Sequence, residues 1–445
     1  MMTTELVIVI LSLVAVHIAG LIAGRKGRED FVLADRSLSV PMLVATLVAT
    51  WYGAILASGE FVLRYGIVFI LCFGLPYYVV AIVYSMWLSG RVRSGRAASI
   101  PEQLGIVYGP AARRLAAVLL LVITIPASYQ LMLGHLISYQ LGWSMTTSVI
   151  VATIMSVSYV MVGGLRSDVY ANVLQSILMF LGMGLLVAAA IGTFGHPGLL
   201  RDQSTTSLFI IPGSLGWGGI LSWFVIAMQT FIDPNFYVRT ASASSATVAR
   251  TAILWSVLCW VVFDLLQLIG GLYVARFLPT VDPKSSYLAL SAATLPDWGQ
   301  GLVLAGMVAA ISSTLNGYAL VSATTIADEV LPRVKGLSSG PTSRNRIGLV
   351  VTSVIGAVIS INAPSFIDLI LNASSIVVSA LLLPTIFSHT ALNDRFRDGI
   401  IAIMLVPALT ALMSIILDLW QPALTGLAMS IAMHLFHFSK GASTS

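Results

Sequence analysis

Apolar runs long enough to cross a bilayer recur from one end of this chain to the other, and that recurrence leaves few folds open. A helix needs roughly 20 apolar residues to span about 30 Å of hydrocarbon. The windows that meet this need are 4–23, 40–63, 67–90, 113–137, 144–163, 168–193, 215–236, 251–277, 299–330, 346–361, 366–389, 397–417 and 421–438. Lipid offers the backbone no hydrogen-bond partners, so windows of this length read as α-helices. The expected class is an all-α polytopic membrane protein with about 13 transmembrane helices, forming one domain over residues 1–445. Only 9% of the residues are charged, against about 25% in soluble domains. The run from Leu6 to Ala23 has no basic flank or small-residue cleavage site before it ends, so it reads as a retained helix. The two cysteines, Cys72 and Cys259, lie inside apolar runs and read as small buried hydrophobes.

The basic residues test this division. With the N-terminus outside, Arg64, Arg201, Arg276 and Lys284 fall in outer segments and the other 19 of the 23 Lys and Arg fall inside. Such a bias follows the positive-inside rule and gives an N-out, C-in orientation. It also assigns the net charge of +5 to the cytoplasmic membrane face and not to nucleic acid. The setting is therefore a cell membrane, the inner one where there are two. The expected partners are the lipid bilayer and a small-molecule solute, with the chain a monomer or weak oligomer.

Ionisable groups at membrane depth are costly and mark candidate functional positions. Three acids stand there: Glu60, Asp233 and Asp264. Glu60 has Arg64 one turn on, which suits either an ion pair or an outer gate. Asp264 shares a helix face with Gln267 and can orient a neighbouring helix or couple a proton. Asp233 precedes Pro234, which ends or kinks its helix. The six histidines are scattered. His434 and His437 share a face but lack a third metal ligand, and no HExxH or His/Cys cluster supports an enzyme.

Small and polar residues interrupt two windows. The first interruption is Thr50, Trp51, Tyr52, Gly53, Ala54, Ala57 and Ser58; the second runs through Gly216, Gly218, Gly219, Ser222, Gln229, Thr230 and Asp233-Pro234. The two windows stand five positions apart in order, the pattern of two inverted five-helix repeats whose broken first helices meet at a substrate site. The window 299–330 is equally unusual, because Ala309-Ala310-Ile311-Ser312-Ser313-Thr314 places small and hydroxyl-bearing residues at mid-membrane depth. Ala310, Ser313 and Thr314 lie at i, i+3 and i+4, on one helix face. From the residues alone, these hydroxyls suit bonds to their own preceding turn, bonds to a neighbouring helix, or an ion site.

Several segments resemble one family. Glu29-Asp30-Phe31-Val32-Leu33-Ala34-Asp35-Arg36-Ser37-Leu38 is similar to the DFFLAGRSL-type segment of sodium:solute symporters. Gly163 to Gln175 resembles that family's GGLRAVxWTDxxQ signature, and Ser99-Ile100-Pro101-Glu102-Gln103-Leu104 resembles its T-x-P-E/D-x-L segment. Asp233-Pro234 with Arg239-Thr240-Ala241-Ser242-Ala243 is similar to its QPxxxxRxxAA stretch, and Ala309 to Leu315 to its sodium-site helix. The resemblance implies a LeuT-type fold with a ten-helix core over about 37–390, as repeats 37–193 and 213–390. One extra N-terminal helix, 4–23, and two extra C-terminal helices, 397–438, complete it.

The resemblance also implies Na+ as the coupling ion. Its ligands here would be the carbonyls of Ala49, Tyr52 and Ala310 and the hydroxyls of Ser313 and Thr314. Asn172 stands where much of the family has Asp, and Asn316 and Gly317 stand where some members place hydroxyls for a second ion. The expectation is one sodium per cycle. The solute pocket would lie beside Trp51 and Gly53, facing Tyr77, Tyr78, Tyr129, Gln130, Trp223, Gln229, Asn372, Ser374 and Ser375. The Ala49-Thr50-Trp51 run is also similar to the choline branch, although sequence alone assembles no aromatic cage with a carboxylate.

The expected function is sodium-coupled import of a small polar organic solute by alternating access, with Glu60 and Asp264 as possible gate or proton-coupling groups. Alternatives are proton-coupled or uncoupled transport on the same fold, or a non-transporting solute sensor. A sensor would need a signalling module, for which the seven residues after the last window leave no room in cis.

Overall fold

The computed structural model describes residues 4–25, 32–329, 341–363, 365–419 and 421–442. Lys26, Arg28, Glu29 to Phe31, Val330, Arg333 and Lys335 lie outside them. The described chain is a helical bundle: α1 (Thr4–Arg25), α2 (Val40–Ala49), α3 (Ile55–Tyr65), α4 (Leu75–Trp87), α5 (Ser89–Ser94), α6 (Ile100–Tyr108), α7 (Pro110–Thr124), α8 (Ala127–Leu141), α9 (Met145–Val157), α10 (Val160–Phe194), α11 (Gly216–Ala227), α12 (Pro234–Ala241), α13 (Ala246–Phe277), α14 (Ser286–Thr294), α15 (Asp297–Glu329), α16 (Pro341–Asn362), α17 (Phe366–Ser388), α18 (Ile400–Ile416) and α19 (Pro422–Ala442). Among the described residues, ten helical stretches are long and apolar enough to cross a membrane, while α9 and α18 are shorter apolar helices. Every apolar window of the sequence falls on one or more of these helices.

Burial sorts the helices into centre and rim. The most apolar part of α15 is 89% buried, against 22% for α1. α15 packs on α1, α7, α8, α10 and α16. Its small residues explain the position, because Gly306 lies so close to the α10 backbone at Leu178 that a methyl would crowd it. At the rim, Leu11, Ile18, Met86, Ile154, Leu181 and Val358 are exposed apolar side chains, the surface a bilayer would cover.

Both interrupted windows are broken helices. α2 stops at Ala49, where the Thr50 hydroxyl returns to the Thr46 carbonyl at 2.7 Å. A short 3₁₀ turn, Tyr52–Ala54, then leads into α3. The second break follows α11: a 3₁₀ turn at Met228–Phe231 precedes Asp233, whose carboxylate caps α12 by accepting from the Phe236 amide at 2.7 Å. Pro234 at the first helical position needs no amide partner there.

Other distinctive segments also have local physical reasons. Ser99 caps α6 by accepting from the Glu102 amide at 3.3 Å, and the Ala98 amide just before it donates to the Glu102 carboxylate at 2.7 Å. Gly163 meets the α1 backbone at Gly24, where a Cβ would overlap. Gly164 bends α10 with φ 56° and ψ −138°, a conformation for which glycine is the suited residue. Arg36 donates to the carbonyls of Arg93 and Gly95 at 3.2 and 3.3 Å, joining the segment before α2 to the C-terminal end of α5.

Candidate functional site

The break after α2 lies against the middle of α15. The Ser313 hydroxyl reaches the Ala49 carbonyl at 2.5 Å and the Ala310 carbonyl at 2.8 Å, sharing one proton between them. Thr314 donates to the same Ala310 carbonyl at 3.1 Å. Both hydroxyls therefore bond their own preceding turn, and Ser313 also bonds the neighbouring broken helix. Ala49, Ala310, Ser313 and Thr314 form one buried cluster of oxygens. The Tyr52 carbonyl, in the same break, accepts from the Ile55 amide. Gly53 rests directly on the Thr314 side chain, where a methyl would overlap it. Hard cations take oxygen ligands of this kind, and a hydroxyl is free to rotate so that its lone pairs, and not its proton, face such an oxygen cluster.

Of the residues expected beside a second ion, Asn316 and Gly317 are already engaged, while the buried Asn172 Oδ1 has no partner. Asn316 donates to the Tyr159 hydroxyl at 2.6 Å and accepts from Ser156 at 3.0 Å. A side chain at Gly317 would collide with Asn235. Asn172 donates to Thr46 at 2.7 Å and to Asp168 at 3.0 Å.

Asp168 belongs to a polar network that the sequence reading did not single out. Arg239, 1% exposed, donates to the Asp168 carboxylate at 2.5 Å, to Thr46 at 2.8 Å and to Asn235. One buried ion pair thus joins α2, α10 and α12. Sequence reading placed both residues near helix ends and so treated them as wet; the structure buries both.

A cavity of about 930 Å³, counting its open mouth, lies beside both breaks. Of the expected solute residues, Trp51, Tyr77, Tyr129, Trp223, Gln229 and Ser374 line it. Trp51 stacks on Trp260 at 4.4 Å between ring centres and meets Tyr77 edge-on at 5.3 Å, so its indole is fixed. Thr50, Phe73, Thr230, Asp233, Asn235, Phe236 and Tyr318 also line the cavity. Asp233 carried a signal that the helix-end reading passed over, since it replaces the Gln of the QPxxxxR pattern. Tyr318 had one too, as it follows Thr314 by four residues on the same helix face.

The structure places the remaining expected residues elsewhere. Gly53 faces Thr314, as above. Tyr78 donates to Asp264, so that acid orients α4 against α13. Gln130 is fully buried and donates to Thr153 and the Ser353 carbonyl, both at 3.0 Å. Ser375 returns to its own Leu371 carbonyl at 2.7 Å, and Asn372 is exposed. Glu60 is buried and pairs with Arg64 at 2.6 Å, while Gln267 accepts from Ser58.

Known proteins resemble this chain in sequence and in fold. The sodium:solute symporter family profile matches residues 31–396. A sodium-coupled monocarboxylate transporter 1 from Xenopus laevis is 22% identical over 366 residues, 75% of this chain and 58% of that protein. A sodium/proline symporter from Staphylococcus aureus is 22% identical over 244 residues, 52% of this chain and 47% of its own length. The chain thus spans about half the length of these curated relatives. Among solved structures, a Na+-coupled sialic acid symporter in a substrate-bound outward-open state superposes with a TM-score of 0.79 at 12% identity, over 97% of this chain and 96% of that one. A nucleobase-cation-symport-1 family transporter gives 0.60 at 13% identity, over 92% of this chain and 95% of that one. The two broken helices, the oxygen cluster between the first of them and α15, and the profile match over most of the chain lead to one assignment: the chain belongs to the sodium:solute symporter family.

Proposed function

We propose that this protein is a sodium-coupled symporter that imports a small polar organic solute by alternating access, with one Na+ per cycle. The observation that carries the reading is the Ser313 bridge between the Ala49 and Ala310 carbonyls. It sets oxygens of two separate helices around one point. Na+ held there by Ala49, Tyr52, Ala310, Ser313 and Thr314 ties the first broken helix to α15. That tie favours the outward-open state, and the ion leaves as the two helices part on the inner side. The engaged side chain of Asn316 and the close packing of Gly317 support a single ion.

The architecture we propose has thirteen membrane helices, N-terminus out and C-terminus in. Its core at 37–390 consists of repeats 37–193 and 213–390 related by inversion, flanked by helices over 4–23 and 397–438. The two observed breaks, one in each repeat, support it. The sodium gradient, with about 2.3 kcal/mol per 100 mV for each net charge moved inward, supplies the drive. Glu60 and Asp264, each held by a neighbour, act in this reading as structural groups.

A thermal-shift screen of small solutes with and without sodium selects the solute, because a ligand stabilises the state it binds. Reconstituted protein should then accumulate that solute under an inward sodium gradient and fail to do so under an inward proton gradient alone. Accumulation that follows pH and ignores sodium contradicts the proposal.

A further inference from the structure

The cavity beside the breaks contains one carboxylate and no cationic side chain among its lining residues. That carboxylate is Asp233. Its Oδ1 accepts from the Phe236 amide at 2.7 Å and its Oδ2 accepts from the Tyr318 hydroxyl at 2.5 Å. Acceptance on both oxygens suits the ionised form, which keeps further lone pairs for a donor in the cavity. Among the described residues Asp233 has no ion-pair partner, and Arg239 on the same helix is committed to Asp168, Asn235 and Thr46.

A carboxylate this buried, 7% exposed, is costly without a positive partner. Aromatic side chains line the same cavity. Trp51 is braced by Trp260 and Tyr77, and Tyr129 stacks on Tyr318 at 5.5 Å. Aromatic faces attract cations through their quadrupole, more strongly where water is excluded. An anionic solute would meet Asp233 with like charge and find no Arg or Lys to offset it.

We infer that this cavity recognises a solute by its ammonium group, with Asp233 as the charge partner and Trp51 and Tyr129 as the aromatic walls. The inference rests on the proposed function only in taking this cavity as the solute's binding place.

Two pairs of probes that differ only in carbon for nitrogen test it. One is choline with 3,3-dimethylbutan-1-ol; the other is glycine betaine with 3,3-dimethylbutanoate. Binding to the purified full chain is measured by calorimetry at fixed sodium. In at least one pair the ammonium member should bind tenfold or more tighter than its carbon isostere. Asp233→Asn keeps the helix cap, since Asn caps as well as Asp, and should erase that preference while sodium still stabilises the protein.

Carbon isosteres that bind as well as their ammonium partners in both pairs overturn the inference without any variant, and so does failure of all four probes to bind. An Asp233→Asn protein that keeps the ammonium preference but loses stabilisation by sodium makes Asp233 an ion ligand, which overturns it too. Failure of the sodium reading shows separately, as solute binding that is indifferent to sodium in the unaltered protein.

Discussion

The buried pair between Arg239 and Asp168 should be among the most costly contacts in the molecule to break from one side. The two side chains are 1% and 0% exposed and meet at 2.5 Å. Arg239→Gln leaves Asp168 with Asn172 at 3.0 Å on Oδ2, while Oδ1 has no partner already. It also removes the donor to Thr46 at 2.8 Å. Removing one member of a buried pair costs about 3–5 kcal/mol, because the other charge stays buried without a counter-charge. Asp168→Asn should cost a similar amount, since it leaves the guanidinium unmatched. The double variant removes both charges and should lose clearly less than the sum of the singles. A double-mutant cycle by thermal unfolding of the purified protein measures that coupling. Additive losses, or an Arg239→Gln protein as stable as the parent, would refute the view that each single variant strands its partner's charge in the interior.

Three further outcomes follow from other sites. Gly53→Ala pushes a methyl into the Thr314 side chain; overpacking of this kind costs roughly 1–3 kcal/mol, and sodium-driven uptake should fall with it while expression persists. Ser99→Ala removes the cap of α6 and should cost about 1 kcal/mol, visible as a lower unfolding temperature with uptake per folded molecule unchanged. In the loop between α10 and α11, bonds from the Ser204 hydroxyl at 2.7 Å and the Thr205 amide at 3.1 Å, with Arg276 at 2.8 Å, hold the Asp202 carboxyl below its ordinary range. A depressed carboxyl stabilises the fold above its unfolded pKa of about 3.9 and loses that contribution as pH falls through the lower folded value. Limited proteolysis should therefore cut the 195–213 loop faster below about pH 4, and Asp202→Asn should remove that pH dependence.

The helices and their breaks were legible because lipid enforces simple rules. A run of apolar residues must be helical, and an interruption such as Thr50 to Gly53 must line a cavity or protein. The α15 half of the oxygen cluster was legible from spacing, because Ala310, Ser313 and Thr314 share a face; its pairing with Ala49 came from the family resemblance. The cavity's far walls were not. Gln130 and Ser375 stand at plausible depths, but which way a helix turns its side chains is set by packing against neighbours distant in sequence. Gln130 faces Thr153 and Ser353, over 20 and over 200 residues away. Asp168 and Arg239 were missed because hydropathy places a charge near a helix end in water, and only the assembled bundle shows that three elements close over the pair.

The central claim is that Ser313 and Thr314 hold the coupling ion between the first broken helix and α15. The direct test is uptake by reconstituted protein carrying Ser313→Ala and Thr314→Ala together, compared with the parent across a range of sodium concentrations. The account predicts a folded protein whose uptake no longer rises with sodium. An unchanged sodium dependence in that double variant would contradict it.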